Sequence, residues 1–291
     1  MQVIVHTGAH ATEEDRLLKS LLRNKQDFSK RGIAVPGPGK YRSLLKDCFS
    51  ALKAGTAAAD SRDVLWDAIL DEENADRVVL SNPHFFGSQR SALQDNLLYP
   101  EAVQRMQYLQ QLFPYDQIEI FMGLRNPAGF LPALLEKASP QRLRDVRKQT
   151  DPRQLRWSEM MQRMRQAVPD IAITVWCYED MPLTWGQILR DMAGLEPNQA
   201  LLGDLDLLAT ILSAEGMTRL RSYMGTHGEM SEMQKRRVYA AFLDKFALED
   251  ALEEELDLAG WTDELVADLT ENYDEDIYHL QRIPGVTLIA P

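Results

Sequence analysis

Four short apolar runs, each closing on polar residues and separated by helix-like stretches, constrain this chain more than any other feature. They are QVIV at 2–5, RVVLS at 77–81, IEIFMGL at 118–124 and IAITVWCY at 171–178. Runs that stay apolar instead of alternating are how strands read when both faces of their sheet are covered. Between them, Leu17, Leu18, Leu21 and Leu22 share one helical face, and Met106, Leu109 and Leu112 share another. Strands alternating with helices predict an α/β fold: an open parallel sheet flanked by helices. GIAVPGPGKYR at 32–42 reads as a shorter strand entering a Pro/Gly loop, with a helix from about Ser43 to Ala54, and Val64 to Leu70 reads as another helix. After Met181 the pattern is wholly helical. A single domain over 1–291 is expected, with 182–291 its mainly helical, acidic C-terminal portion.

With 45% hydrophobic residues and no low-complexity tract, the chain has the makings of a buried core. It holds no run of eighteen apolar residues, and MQVIVHTGAH lacks the basic start and long apolar stretch of a signal peptide, so a cytoplasmic protein without membrane attachment is expected. Cys48 and Cys177 lie far apart without a CxxC pattern and read as buried free thiols. A formal charge of −12 argues against binding to nucleic acid. That charge is uneven. From Asp244 to Asp276 there are fourteen carboxylates and one basic residue, Lys245, whereas Lys137 to Arg165 carries nine basic residues against three acids. The plainest reading of the basic stretch is a solvated helix face; the acidic stretch could present a surface to a protein partner.

Ligands of open parallel sheets sit beyond the carboxyl ends of the strands. The residues just after each strand are therefore candidates: His6 to Thr12, Ser81 to His84, Arg125-Asn126 and Glu179-Asp180. The first exit has the order of an anion-binding loop, a strand, a turn containing Gly8 and a helix start at Thr12. No lysine lies between Met1 and Lys19, and Glu13, Glu14 and Asp15 follow instead. Thr12 with Asp15 resembles a capping box, in which those acids would stabilise the helix start by roughly 0.3–1 kcal/mol. A phosphate within about 5 Å of one such carboxylate would meet a repulsion of roughly 3 kcal/mol per unit charge at an effective dielectric near 20. Arg16, Arg125 or a cation would have to offset it.

Arg125 suits a bidentate grip on an anion, or a salt bridge with Glu179 or Asp180. His84 suits a general base, or a hydrogen bond within its loop. His6, ending its strand, reads as a buried hydrogen-bonding residue. His6, His10, Glu13, Glu14 and Asp15 include metal-ligand types, but adjacency in sequence does not bring ligands to one point, and no metal is expected.

VIVHTGAHAT, VVLSNPHFFG, FMGLRNPAGFLPALLE, TVWCYEDM and YDEDIYHLQRIPGVTLIAP together resemble the bacterial sulfotransferase family. The resemblance implies a P-loop-like fold, 3′-phosphoadenosine-5′-phosphosulfate as donor co-substrate, and a small-molecule or glycan acceptor. His6, Gly8 and Thr12 fall on the family's 5′-phosphosulfate loop, Arg125 on its 3′-phosphate arginine, and His84 near its catalytic base. The family lysine falls on Ala11, its following G-T-T on Glu13, Glu14 and Asp15, and a usual serine on Ala133. The implied activity is sulfuryl transfer to a hydroxyl or amine, with Arg16 or Lys40 replacing the lysine. The alternative is a non-catalytic binding or regulatory protein on the same scaffold.

Overall fold

The computed structural model describes residues 1–58, 60–70, 75–251 and 258–291. In chain order the early elements are β1 (Gln2–His6), α1 (Arg16–Leu22), α2 (Lys25–Ser29), β2 (Ile33–Ala34), α3 (Pro38–Ala54), α4 (Ser61–Ile69) and β3 (Arg77–Ser81). A hairpin of β4 (Leu93–Gln94) and β5 (Leu97–Leu98) precedes α5 (Ala102–Leu112) and β6 (Gln117–Leu124). Then come α6 (Pro127–Leu135), α7 (Pro140–Gln149), α8 (Trp157–Ala167), β7 (Ala172–Cys177) and α9 (Met181–Ala193). The last are α10 (Leu208–Ile211), α11 (Ala214–Thr226), α12 (Glu232–Phe246), α13 (Asp263–Leu280) and β8 (Val286–Ile289).

Six strands form one all-parallel sheet in the order β2-β3-β1-β6-β7-β8. Period-two side chains divide its two faces. Val3, Val5, Val78, Leu80, Ile120 and Met122 pack toward α3, α4, α5 and α8, against Tyr41, Phe49, Leu65, Met106 and Met160. Ile4, Val79, Phe121 and Trp176 pack the other way against Leu17, Leu18 and Leu21 of α1 and Trp185, Ile188 and Leu189 of α9. Each large side chain so buried contributes about 1.5–3 kcal/mol of hydrophobic stabilisation. Coverage of both faces keeps the central strands apolar, while towards the β8 edge Glu119, bonded to Thr174 at 2.7 Å, and exposed Thr287 put polar groups on one face. Among the described residues no helix is long and apolar enough to cross a membrane. Both cysteines are free thiols; Cys177 is buried and Cys48 half-buried.

The structure departs from the sequence reading in four places. The C-terminal region is not wholly helical, because β8 returns to the sheet and pairs with β7 over Val286 to Ile289. Helix α3 begins at Pro38, before Ser43, since proline with its fixed φ suits the first helical turn. The β4–β5 hairpin lies where the sequence reading placed no strand, and it turns at Asp95-Asn96, with φ of +48° and +62°. Helix α1 begins at Arg16, not Thr12; the expected capping box is absent, and the Thr12 hydroxyl donates to the Ala9 carbonyl at 2.6 Å.

The basic stretch is in large part the solvated face expected, with Lys137, Arg144, Arg147, Lys148 and Arg153 exposed, and several of its arginines also stitch the chain. Arg142 donates to the carbonyls of Arg90 and Leu93, Arg147 to Ala259, Arg163 to Leu98 and Arg165 to Pro284, while Arg153 pairs with Asp268 of α13. From the acidic stretch, buried Asp276 accepts the backbone N–H groups of Trp157 at 2.6 Å and Ser158 at 3.2 Å, capping α8 from another helix. Asp263, Glu264, Glu271, Asp274 and Glu275 are exposed. Glu253, Glu254, Glu255 and Asp257 lie outside the described residues.

Candidate functional site

Strand β1 lies between β3 and β6, so the chain's two halves spread from it in opposite directions. The crevice beyond such a switch point is where α/β sheets take ligands. His6, Ser81 and Arg125 end or directly follow these three strands, as the sequence reading requires.

The first part of the β1–α1 loop is tied to the protein's own interior. Its first amides are already engaged: Thr7 N–H donates to the Phe121 carbonyl at 2.9 Å, Ala9 N–H to Gly123 at 3.1 Å, and His10 N–H to the Tyr99 hydroxyl at 2.8 Å. The loop thus prolongs the β1–β6 pairing, and those dipoles cannot serve a ligand. Gly8, at φ +57°, supplies the left-handed turn, and Ala11 and Glu14 also have positive φ, at 56° and 52°.

Glu13 folds inward beneath this loop and is 2% exposed. Its carboxylate pairs with His6 Nε2, and His6 Nδ1 lies 2.9 Å from Ser81 Oγ. His6 also stacks on Trp176, ring centroids 5.9 Å apart. A Cβ on Gly123 would stand 3.0 Å from both Glu13 Oε2 and Trp176 Nε1, so any larger residue at that point of β6 would require these groups to shift. Ser81, His6 and Glu13 have the residue types of a nucleophilic triad. Yet Ser81 and His6 are 0% exposed, and a hydroxyl no substrate can reach is a structural hydrogen-bonding group.

Two guanidinium groups close the loop from outside. Arg125 Nη1 donates to the Ala11 carbonyl, and its guanidinium carbon sits 4.7 Å from the Tyr178 ring centroid. Arg42 of α3 grips Asp15 at 2.5 Å and donates through Nε to the Ser81 carbonyl at 2.9 Å. The Arg42 hydrogen bond holds the Asp15 carboxyl below its ordinary value, against the opposing effect of burial. Arg16 and Lys40 are exposed, at the start of α1 and in the first turn of α3. Glu179, the other partner considered for Arg125, accepts from the Asn126 backbone at 2.7 Å and the Tyr273 hydroxyl at 3.2 Å. Burial pushes its pKa up, and that of Asp180 likewise.

His84 is exposed after β3 and belongs to a chain of three groups. Its Nδ1 lies 2.9 Å from His10 Nε2, and His10 Nδ1 lies 2.8 Å from the Tyr99 hydroxyl. Burial, with His84 adding to it, lowers the His10 pKa to about 4, and burial pushes Tyr99 well up. His10 is therefore neutral and Tyr99 protonated at neutral pH.

The residues once grouped as metal-ligand types separate in space. His6 meets Glu13, His10 meets His84, Asp15 meets Arg42 and Glu14 points to solvent. Among the described residues no three His, Cys, Asp or Glu side chains are gathered to hold an ion. Arg42, Tyr99 and Gly123 were not singled out in sequence. The Asp-Asn pair between Leu93 and Leu98 was a hairpin signal that could have placed Tyr99 beside the site. Compared with family models, with characterised proteins and with solved structures, the chain matches none.

Proposed function

We propose that the chain is a sulfotransferase-like α/β protein that does not take up a nucleotide donor at its β1–α1 loop and works as a binding or regulatory protein. One observation carries this reading: Glu13, on which a glycine of the family loop falls, has its carboxylate sealed beneath the loop on His6. The amides of Thr7, Ala9 and His10 support it in so far as they are withdrawn from any ligand, a phosphate loop needing N–H groups directed at the anion. The exposed carboxylates of α13 suit a partner with a basic surface.

One observation favours a second reading. The Arg125 guanidinium reaches Ala11, the place of the family lysine, so divergent sulfuryl transfer would have a cation there to steady a leaving phosphate. Calorimetric titration with 3′-phosphoadenosine-5′-phosphate separates the two. On the first reading the folded protein gives no heat at millimolar ligand. Saturable binding that Arg125→Ala abolishes would overturn the first reading and establish the second.

A further inference from the structure

His84 is the exposed end of the three-member chain, and the proton positions along that chain follow from hydrogen-bond accounting. The Tyr99 oxygen accepts the His10 backbone N–H at 2.8 Å. Tyr99 is 0% exposed, so its own hydroxyl proton needs a protein acceptor. His10 Nδ1, 2.8 Å away in a ring whose plane is within 6° of the tyrosine's, is that acceptor. A neutral imidazole accepting at Nδ1 carries its proton on Nε2. His10 Nε2–H must then donate to His84 Nδ1 at 2.9 Å, which leaves the His84 proton on Nε2, facing outward.

The reverse arrangement has His84 Nδ1–H donating to His10 and His10 Nδ1–H donating to Tyr99. It strands the tyrosine proton in the interior, a loss large enough to bias the tautomers roughly tenfold or more. The backbone is arranged to deliver that hydroxyl. Tyr99 sits at φ +46°, which a bulky residue adopts only when its surroundings impose it. Its backbone N–H is tied to the Ala92 carbonyl at 2.8 Å, and its ring packs on Trp157 with centroids 6.2 Å apart.

We propose that Tyr99 and His10 hold His84 as a fixed Nε2–H hydrogen-bond donor, so that the surface beyond β3 receives an acceptor oxygen of a ligand, such as a carboxylate or carbonyl, and His84 does not act as a base. His10 and Tyr99 are positioning residues in this assignment. It uses neither Glu13 nor Arg125, and under the sulfuryl-transfer reading it leaves the role of base to a group other than His84.

Long-range ¹H–¹⁵N correlation spectra distinguish the two neutral tautomers of each histidine, with His84→Asn assigning the signal. At about pH 8, where an ordinary histidine is neutral, wild-type His84 is expected in the Nε2–H form and Tyr99→Phe to shift it towards Nδ1–H. Carbethoxylation requires an unprotonated nitrogen. His84 should therefore react several-fold more slowly than exposed His279 in the same sample, and the difference should shrink in Tyr99→Phe. A wild-type His84 in the Nδ1–H form, or one reacting as fast as His279, overturns the proposal even where Tyr99→Phe does not fold. A folded Tyr99→Phe protein with an unchanged His84 tautomer overturns it as well.

Discussion

The Glu13 carboxylate and the His6 imidazole meet inside the β1–α1 loop with 1% and 0% of their side chains exposed. The loop thereby encloses its own carboxyl–imidazole pair. Removing one member of a buried pair leaves the other without compensation, which costs about 3 kcal/mol or more. Glu13→Ala should lower the unfolding free energy by about that amount in urea titrations, and formate should restore part of the lost Tm by filling the space. A loss below about 0.5 kcal/mol, typical of surface changes, would show that the pair does not hold the loop.

Gly123 is the point on β6 over which Glu13 Oε2 and Trp176 Nε1 crowd. Gly123→Ala should destabilise by about 1–3 kcal/mol, as overpacking does. The same substitution in a Glu13→Ala background should cost less, because one of the two obstructing groups has gone. Strict additivity in this double-mutant cycle would contradict the placement of the carboxylate.

The Arg42–Asp15 pair gives a pH signature. The folded-state pKa of Asp15 lies below its unfolded value because of the Arg42 hydrogen bond, so its contribution is present above the ordinary carboxylate value and is lost as pH falls through the folded value. With the Asp15 side chain 37% exposed, solvent screening keeps this under about 1 kcal/mol. Asp15→Asn should trail wild type slightly at neutral pH and converge with it below about pH 4. A gap that stays constant across the acid range would assign the effect to packing instead.

Asp276 caps α8 by accepting from Trp157 and Ser158, and Ser158 Oγ also donates to it. Asp276→Ala leaves these buried donors unpaired and should cost about 2–4 kcal/mol, while Asp276→Asn, which keeps an acceptor oxygen, should recover part of the loss. Hydrogen exchange at Trp157 and Ser158 is the direct readout: Asp276→Ala should speed it. Unaltered protection there would mean the cap is supplied by other groups.

Much of the sheet was legible because apolar runs of four to eight residues report burial on both faces locally. β8 was not, being a four-residue edge strand with the mixed pattern of buried and exposed positions in VTLI. The start of α1 was misplaced because Thr12 and Asp15 have the right types for a capping box, yet Ala11 and Glu14 take positive φ and Glu13 is drawn into the interior. Among candidate residues, His6 was legible as a buried hydrogen-bonding residue. The partners of Arg125 and His84 were not, since the Ala11 carbonyl and His10 are groups that composition cannot single out.

By itself the sequence determined an α/β protein with a parallel sheet, helices around it, polar strand exits gathered at one end, and a first loop bearing carboxylates in place of a lysine. Only the tertiary structure decided how those groups are used. The joined residues stand far apart in the chain: His6 and Ser81 by 75 positions, His10 and Tyr99 by 89, Ala11 and Arg125 by 114. Periodicity records which side of an element is buried, a property of neighbours along the chain. Which carboxylate meets which imidazole depends on strand order and register, and these emerge only when the whole sheet assembles.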